Sequence, residues 1–543
     1  MSRALESLLP AQLPTKLQDV DPNILGLAVI SLSACALAWK SYSSRRSRPM
    51  PPSPPTNHWF YGHKVAQNSN LPFLQIEEWI KEYGPIITLR DGTEKYVVIG
   101  GQQALFDIME RQGALLADRP PRISITELLT GGVSIGFTNG PRLRLMRRAM
   151  HTHLQPKAVG TYAPLQMEHV RGTIIGLLDE PMKYQSHART YAASVVLKVA
   201  YGKSMPTSAS GPEVQKIERS LAMTRNALRP GAYLVDYALF SWLKYMPWYG
   251  RELRQTHETD TKLFVGHLEN VRNKLIDSDA GPSFSRHLFE NESSYGMSRK
   301  EMAFLAGSFY AAGSETSAIG ACQIMMTAAL HPEIQARVQA EIDTVVGRDR
   351  VPTFDDEYSL PLVRAFVQEV HRWRPIAAMG EFCCPHCLSH YTTDDVIWNG
   401  YCIPKGTTVW GNHWSASRDP EVWADADKFD INRWLTEDGA FRTDLNDMRH
   451  IAFGFGRRIC PGQHLAQRSL LINAIVILWA FRISLDPAKY SKDALRNPVE
   501  SPEVDSFAYM RRIPTNTPAF SYVFEPRIEP GRLREMMKDY PYA

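Results

Sequence analysis

The pattern of apolar and polar positions divides the chain into one apolar run near its start, a hairpin, and then long stretches of helical periodicity. Residues 24–39 read ILGLAVISLSACALAW, with no charge until Lys40. At 1.5 Å per residue this run reaches ~24 Å, slightly short of a thin bilayer core of ~27 Å. Residues 49–55, PMPPSPP, cannot continue a helix and form a stiff spacer. Residues 83–101 alternate around Asp91-Gly92, which predicts a β-hairpin. Beyond it, Ser298-Arg299-Lys300-Glu301 has capping-box spacing and opens an apolar helix that runs to Leu330, where Pro332 ends it or starts the next. A helix carrying Glu369 and Arg372 is stopped by Pro375, and a further apolar helical run covers 463–481. Short strand-like pieces fall near 401–410 and towards the carboxyl end. The expected fold is mainly α with a minor β-sheet.

Composition narrows the classes. The 61 basic and 57 acidic residues leave a formal charge of +4, too little for bulk nucleic-acid binding. Seven cysteines in 543 residues do not make a disulfide framework and fit a reducing compartment. No G-x-G-x-x-G loop follows a strand, so no nicotinamide or flavin domain is expected in this chain. Basic residues Lys40, Arg45, Arg46 and Arg48 follow the apolar run, which under the positive-inside rule leaves the bulk of the chain cytosolic. A cleaved signal peptide competes, because Ala34-Cys35-Ala36 and Ala36-Leu37-Ala38 have small-x-small spacing, but the leader is long and carries Glu6, Asp19 and Asp21. A buried core helix is the third reading. The resulting division is a tail over 1–22, a transmembrane anchor over 23–40, a basic and proline-rich linker over 41–57, and a globular domain over 58–543.

Four constellations carry chemistry. In the first, Phe453-Gly454-Phe455-Gly456-Arg457-Arg458-Ile459-Cys460-Pro461-Gly462, glycines let backbone pass close to a flat ligand. Cys460 opens a helix whose positive end favours thiolate, and Arg458 is placed to pair with a ligand carboxylate. In the second, Ala312-Gly313-Ser314-Glu315-Thr316-Ser317 interrupts an apolar helix, although an interior glycine costs ~1 kcal/mol relative to alanine. A helix–helix contact with Thr316 back-bonding to the preceding turn is the plain reading. The third pairs Glu369 with Arg372, three apart on one face, with Arg433 in Phe429-Asp430-Ile431-Asn432-Arg433-Trp434. The fourth is the basic stretch from Gly140 to Arg148, which alone reads as a solvated helix face.

Phe453, Gly456, Arg458, Cys460 and Gly462 fill the specified positions of F-x-x-G-x-R-x-C-x-G, and the chain resembles the cytochrome P-450 superfamily over about residues 58–527. The resemblance implies a single large cytochrome P-450 fold behind an N-terminal transmembrane helix, with Cys460 as axial ligand of a haem iron, where thiolate pushes electron density and favours O–O cleavage. It implies that Ala312 and Gly313 make room for dioxygen, and that Thr316, aided by Glu315, holds water and delivers protons. It implies a buried structural trio of Glu369, Arg372 and Arg433, and a haem carboxylate held by Arg147 as well as Arg458. Ser308, Phe309 and the 120–140 region are expected in the pocket wall. It also implies an apolar substrate, NADPH acting through a separate membrane-bound reductase, and a single-pass endoplasmic-reticulum location.

The details are most similar to fungal microsomal members acting on secondary metabolites, of the O-methylsterigmatocystin oxidoreductase type, through Tyr401-Cys402-Ile403-Pro404-Lys405-Gly406-Thr407 and Asn412-His413-Trp414. Departures are Leu143 for the expected tryptophan, Ile431 for proline, Asn432 for glutamate, and a longer segment at 375–399. That segment holds Cys383, Cys384, His386, Cys387 and His390, a zinc set only as a minor reading beside a plain insertion; His386 or His390 is the candidate for a second propionate contact. Arg142, Arg144 and Arg148 are candidates for a basic docking face for the electron donor. A reductase-independent isomerase or dehydratase, and a haem-binding protein without turnover, are the rival functions.

Overall fold

The computed structural model describes Ser31 and residues 48–541 apart from 57, 60–61, 64–70, 93, 204–210, 230, 277–280, 380–388, 446–451 and 512–517. The anchor expected over 23–40 and the cysteine cluster 383–387 therefore lie outside the described residues, save Ser31. Among the described residues no helix is long and apolar enough to cross a membrane.

The longer helices are α1 (Pro72–Tyr83), α2 (Gly140–Leu154), α3 (Ala163–Asp179), α4 (Tyr184–Tyr201), α5 (Pro212–Leu228) and α6 (Arg251–Ile276). They continue with α7 (Arg299–Leu330), α8 (Pro332–Val345), α9 (Pro361–Trp373), α10 (Gln463–Ala480) and α11 (Pro530–Lys538). The strands are β1 (Ile86–Asp91), β2 (Glu94–Ile99), β3 (His390–Tyr391), β4 (Val396–Trp398), β5 (Tyr401–Ile403), β6 (Thr408–Gly411), β7 (Phe481–Leu485) and β8 (Tyr522–Pro526). The fold is mainly helical with minor sheets. Residues 48–50 with Ile397–Cys402 form a small unit of their own, inside which the Cys402 N–H donates to the Pro49 carbonyl at 2.9 Å.

In the large body the predicted hairpin is β1–β2, with Ile86 opposite Ile99 and Asp91 opposite Glu94. Its sheet has the order β1-β2-β6-β3, β2 and β6 being parallel. The Tyr96 and Trp410 rings stack across that pair at 4.9 Å. The centre is α7. Its capping box is present at Ser298 and Glu301 in both directions, and the helix ends at Leu330 as its pattern predicts. Most of it is buried, because α4, α6 and α10 all pack against it. α10 ends one residue earlier than its hydropathy suggests: Phe481 leaves helical geometry and opens β7, buried opposite Pro526. Backbone pairing with β8 overrides apolar content there.

Candidate active site

Two adjoining cavities, about 270 Å³ and about 110 Å³, share Cys460, Arg458 and Arg119 in their walls. Cys460 is set by its loop. Its N–H donates to the Phe453 carbonyl at 2.9 Å, and the Ile459 N–H to Gly456 at 3.2 Å, so the chain turns back on itself before α10. Gly456 has φ +60, and a Cβ there would lie 2.2 Å from the Met109 carbonyl oxygen, so no other residue fits without moving the backbone. The Gly456 N–H is in turn held by Glu110 at 2.5 Å. Gly462 is the N-cap of α10, which places the sulfur beside the positive end of an 18-residue helix. Phe453 sits edge-on to His371 at 5.8 Å and Phe455 edge-on to His413 at 5.8 Å, both histidines lining the smaller cavity. Burial lowers both imidazoles to about 4 and keeps them neutral.

Three guanidiniums converge on this loop. Arg147, from α2, donates to the Ile459 carbonyl at 2.8 Å. Burial lowers its pKa, and the charge of Cys460 opposes that shift. Arg458 donates to the carbonyls of Ala117 at 2.5 Å, Ile135 at 3.3 Å and Thr138 at 2.7 Å, and to the Asn139 amide oxygen at 2.8 Å. Burial, then Arg119, pushes it down to about 9. Arg119 donates to Gly136 at 3.2 Å and to Ser389 at 3.1 Å. These bonds of the three guanidiniums go to carbonyls and an amide, groups that orient a cation without neutralising it. Three oriented cations facing one slot make a site for a ligand carrying more than one negative charge. Arg119 has no motif around it in sequence and was missed; only the tertiary approach of the segment before Pro120 reveals it. His390 lines the smaller cavity, its Nδ1 bonded to the Leu116 carbonyl at 2.7 Å, and burial and then Arg119 depress it to about 3. Its alternative, His386, is outside the described residues.

α7 forms the facing wall. Ala312 lines the larger cavity and Thr316 the smaller one, with the Thr316 hydroxyl donating to the Ala312 carbonyl at 2.8 Å. Gly313 looks elsewhere: a Cβ there would lie 2.6 Å from Val196 Cγ1, so its lack of a side chain lets α4 approach α7. Glu315 also turns from the slot and pairs with Arg225 of α5 at 2.9 Å, Arg225 itself lining the larger cavity. Ser308 lines that cavity, whereas Phe309 is buried against Phe284 at 4.7 Å. From the 120–140 region, Leu129, Thr130 and 134–137 contribute to the wall.

The ion trio stands behind the loop. The fully buried Glu369 accepts from Arg372 at 2.8 and 2.7 Å, from the Trp434 indole at 2.9 Å and from the Asp430 N–H at 3.0 Å, with Arg433 Nε at 3.4 Å. Asn432, where the resemblance leads one to expect glutamate, accepts from Arg337 at 2.9 Å. In the basic stretch Arg142 is tied to Glu301 at 2.6 Å and is no part of an open basic face, while Arg144 and Arg148 are exposed.

The family profile described as Cytochrome P450 matches residues 51–504. The chain belongs to the cytochrome P450 family. It is 43% identical over 486 residues to cytochrome P450 monooxygenase 113 of Postia placenta, covering 89% of this chain and 92% of that protein. Cytochrome P450 monooxygenase 64 of the same fungus is 43% identical over 484 residues, with the same coverage. A cytochrome P450 monooxygenase of Armillaria gallica is 35% identical over 430 residues, covering 76% of this chain and 80% of its own. Cytochrome P450 membership implies a monooxygenase with thiolate-ligated haem, fed in general with electrons from NADPH through a reductase. The described residues fit that group. Cys460 offers the sulfur, the cavities flank it with largely apolar walls, and the three guanidiniums match a flat ligand with two carboxylates.

Proposed function

We propose that this P450 inserts one atom of dioxygen into an apolar small molecule in secondary metabolism. The observation that supports it is that Cys460 enters both cavities while Ala312 and Thr316 of α7 line the same two spaces. Haem, when bound, supplies oxygen activation at an iron whose thiolate ligand donates electron density. Cys460 is the ligand, and Phe453, Gly456 and Gly462 shape the turn that presents it. Arg147 and Arg458, joined by Arg119, hold the haem carboxylates. The Thr316 hydroxyl, bonded to the Ala312 carbonyl, marks where α7 holds water and passes a proton. Glu315, paired with Arg225, ties α5 to α7 beside that wall, and Gly313 sets the spacing of α7 from α4. Glu369, Arg372 and Arg433 keep the segment before the cysteine loop in place.

Electrons come from NADPH through a separate reductase that docks on exposed basic residues such as Arg144 and Arg148. The apolar run 24–39 anchors the chain in the endoplasmic-reticulum membrane, with residues 58–543 as the cytosolic domain. Exposed Leu239, Trp242, Tyr245 and Trp248 suit a membrane interface, where aromatic side chains concentrate. The resemblance of 401–407 and 412–414 to the O-methylsterigmatocystin oxidoreductase type supports the metabolic role.

A reduced carbon-monoxide difference spectrum tests the ligand. The parent should give the thiolate-type band and Cys460→Ser should lose it; a band that survives the substitution refutes the assignment. Product formed per NADPH, with reductase added, separates a monooxygenase from an isomerase or a silent haem carrier.

A further inference from the structure

The larger cavity carries a carboxylate that the mechanism does not use. Asp260, on α6, is 6% exposed and lines the cavity, with no cation bonded to it among the described residues. Its Oδ2 accepts from the Ser220 hydroxyl of α5 at 2.5 Å, whereas its Oδ1 has no hydrogen-bond partner among the described residues. Ser220 and Thr224 line the same wall. A buried carboxylate oxygen without a donor is costly, and native interiors rarely leave one so. Burial raises this carboxyl to about 6. Around it the wall is apolar, with Leu221, Leu228, Phe264 and Phe304. The ligand that completes such a wall is an apolar body bearing one donor.

The charge of that donor follows from the rest of the cavity. Arg119, Arg147, Arg225 and Arg458 line it too, against a single carboxylate, Asp260. Haem carboxylates and Glu315 balance those cations and leave no excess negative charge to welcome an ammonium. A neutral hydroxyl satisfies Oδ1 at no electrostatic cost. We propose that Asp260 is a specificity-determining subsite that accepts a hydrogen bond from an alcohol group on an apolar substrate. The substrate is then an already oxygenated skeleton, so a reaction that leaves or installs a hydroxyl precedes this enzyme. This inference rests on the monooxygenase reading.

The test uses the haem-loaded full chain, first shown to give the thiolate-type carbon-monoxide band and to bind clotrimazole; failure at that stage counts against the monooxygenase reading itself. Equilibrium dialysis then measures androstane, androstanol and aminoandrostane, with adamantane and adamantanol as a smaller pair. The parent should bind the alcohol of at least one pair about tenfold or more tighter than its hydrocarbon, the scale of a hydrogen bond to an ionisable group, and the amine no tighter than the alcohol. Asp260→Leu should bring the ratio to within about twofold while clotrimazole binding is unchanged. Asp260→Asn, which keeps an acceptor and the Ser220 bond, should retain part of the preference and serves if the leucine variant does not fold. Overturning results are no alcohol preference in the parent, no binding of any member, a preference for the amine, or a preference undiminished in both variants.

Discussion

Removal of the Glu369 carboxylate should cost most of the stability of this protein. The side chain is 0% exposed and its Arg372 partner 2% exposed, so water cannot replace what is lost. Glu369→Ala deletes both bonds from Arg372 and leaves its guanidinium on the carbonyls of Ser417, Ala426 and Lys428, which do not neutralise it. Breaking a buried pair by removing one partner costs roughly 3–5 kcal/mol. The Trp434 indole N–H also loses its acceptor, adding roughly 1–3 kcal/mol. A sum of about 4–8 kcal/mol compares with a total of about 5–15 kcal/mol for folded domains. Glu369→Gln keeps an acceptor for Trp434 but not the charge, and should lose about 3–5 kcal/mol. Urea unfolding followed by far-UV circular dichroism measures both, and haem retained through gel filtration reports the effect on the site. Arg372 holds the 417–428 carbonyls that precede the cysteine loop, so haem should leave before helicity is lost. If both variants unfold within about 1 kcal/mol of the parent, the trio does not stabilise the fold and the reasoning fails.

Three further outcomes are expected. Thr316→Val keeps the shape of the side chain but removes the hydroxyl on the Ala312 carbonyl; NADPH oxidation should continue while product per NADPH falls about tenfold or more, and unchanged coupling refutes the proton role. Gly313→Ala places a methyl 2.6 Å from Val196 Cγ1 and should destabilise by about 1–3 kcal/mol, with Val196→Ala restoring most of it; no rescue means that the glycine answers to the oxygen space instead. His331 is depressed to about 4, chiefly by burial and then by Arg374. The unfolded chain therefore binds the proton first, so its stabilisation is present above the ordinary imidazole pKa of about 6.5 and is lost as pH falls towards 4, by about 1.4 kcal/mol per pH unit. The urea-unfolding free energy of His331→Phe should lack that part of the acid slope, and identical slopes refute the assignment.

Local signals in this sequence predict local structure well. The capping box at Ser298 and Glu301, the stop at Leu330, the hairpin around Gly92 and the Glu369–Arg372 pair each depend on residues within a few positions of one another. The side from which a distant segment arrives is invisible at that range. Glu315 beside Thr316 reads as a second member of a proton pair, yet Arg225 captures it across the α5–α7 contact. Gly313 reads as room for a small molecule, yet its open side is taken by Val196. Arg142 reads as one of a basic row, yet Glu301 of the capping box claims it. In each case a polar or small residue has two possible neighbours and tertiary packing decides between them.

The same reasoning explains why the departures from the family pattern are tolerated. Where a glutamate was expected, Asn432 takes a bond from Arg337, so the position still ties the segment to α8 without a charge. Ile431 is 0% exposed and replaces a rigid proline by burial. Leu143 lines the cavity and supplies apolar wall but no donor, which shifts the holding of anionic ligand groups to the three arginines. Those arginines repel one another: burial depresses Arg458 first, Arg119 and Arg147 add to it, and Asp118 offsets that repulsion only in part. A dianionic ligand does relieve it. The cysteine loop, tied to Arg147 through Ile459 and to the 117–139 segment through Arg458, is therefore held best when that ligand is in place. Haem affinity and stability should consequently rise and fall together across substitutions of these three residues.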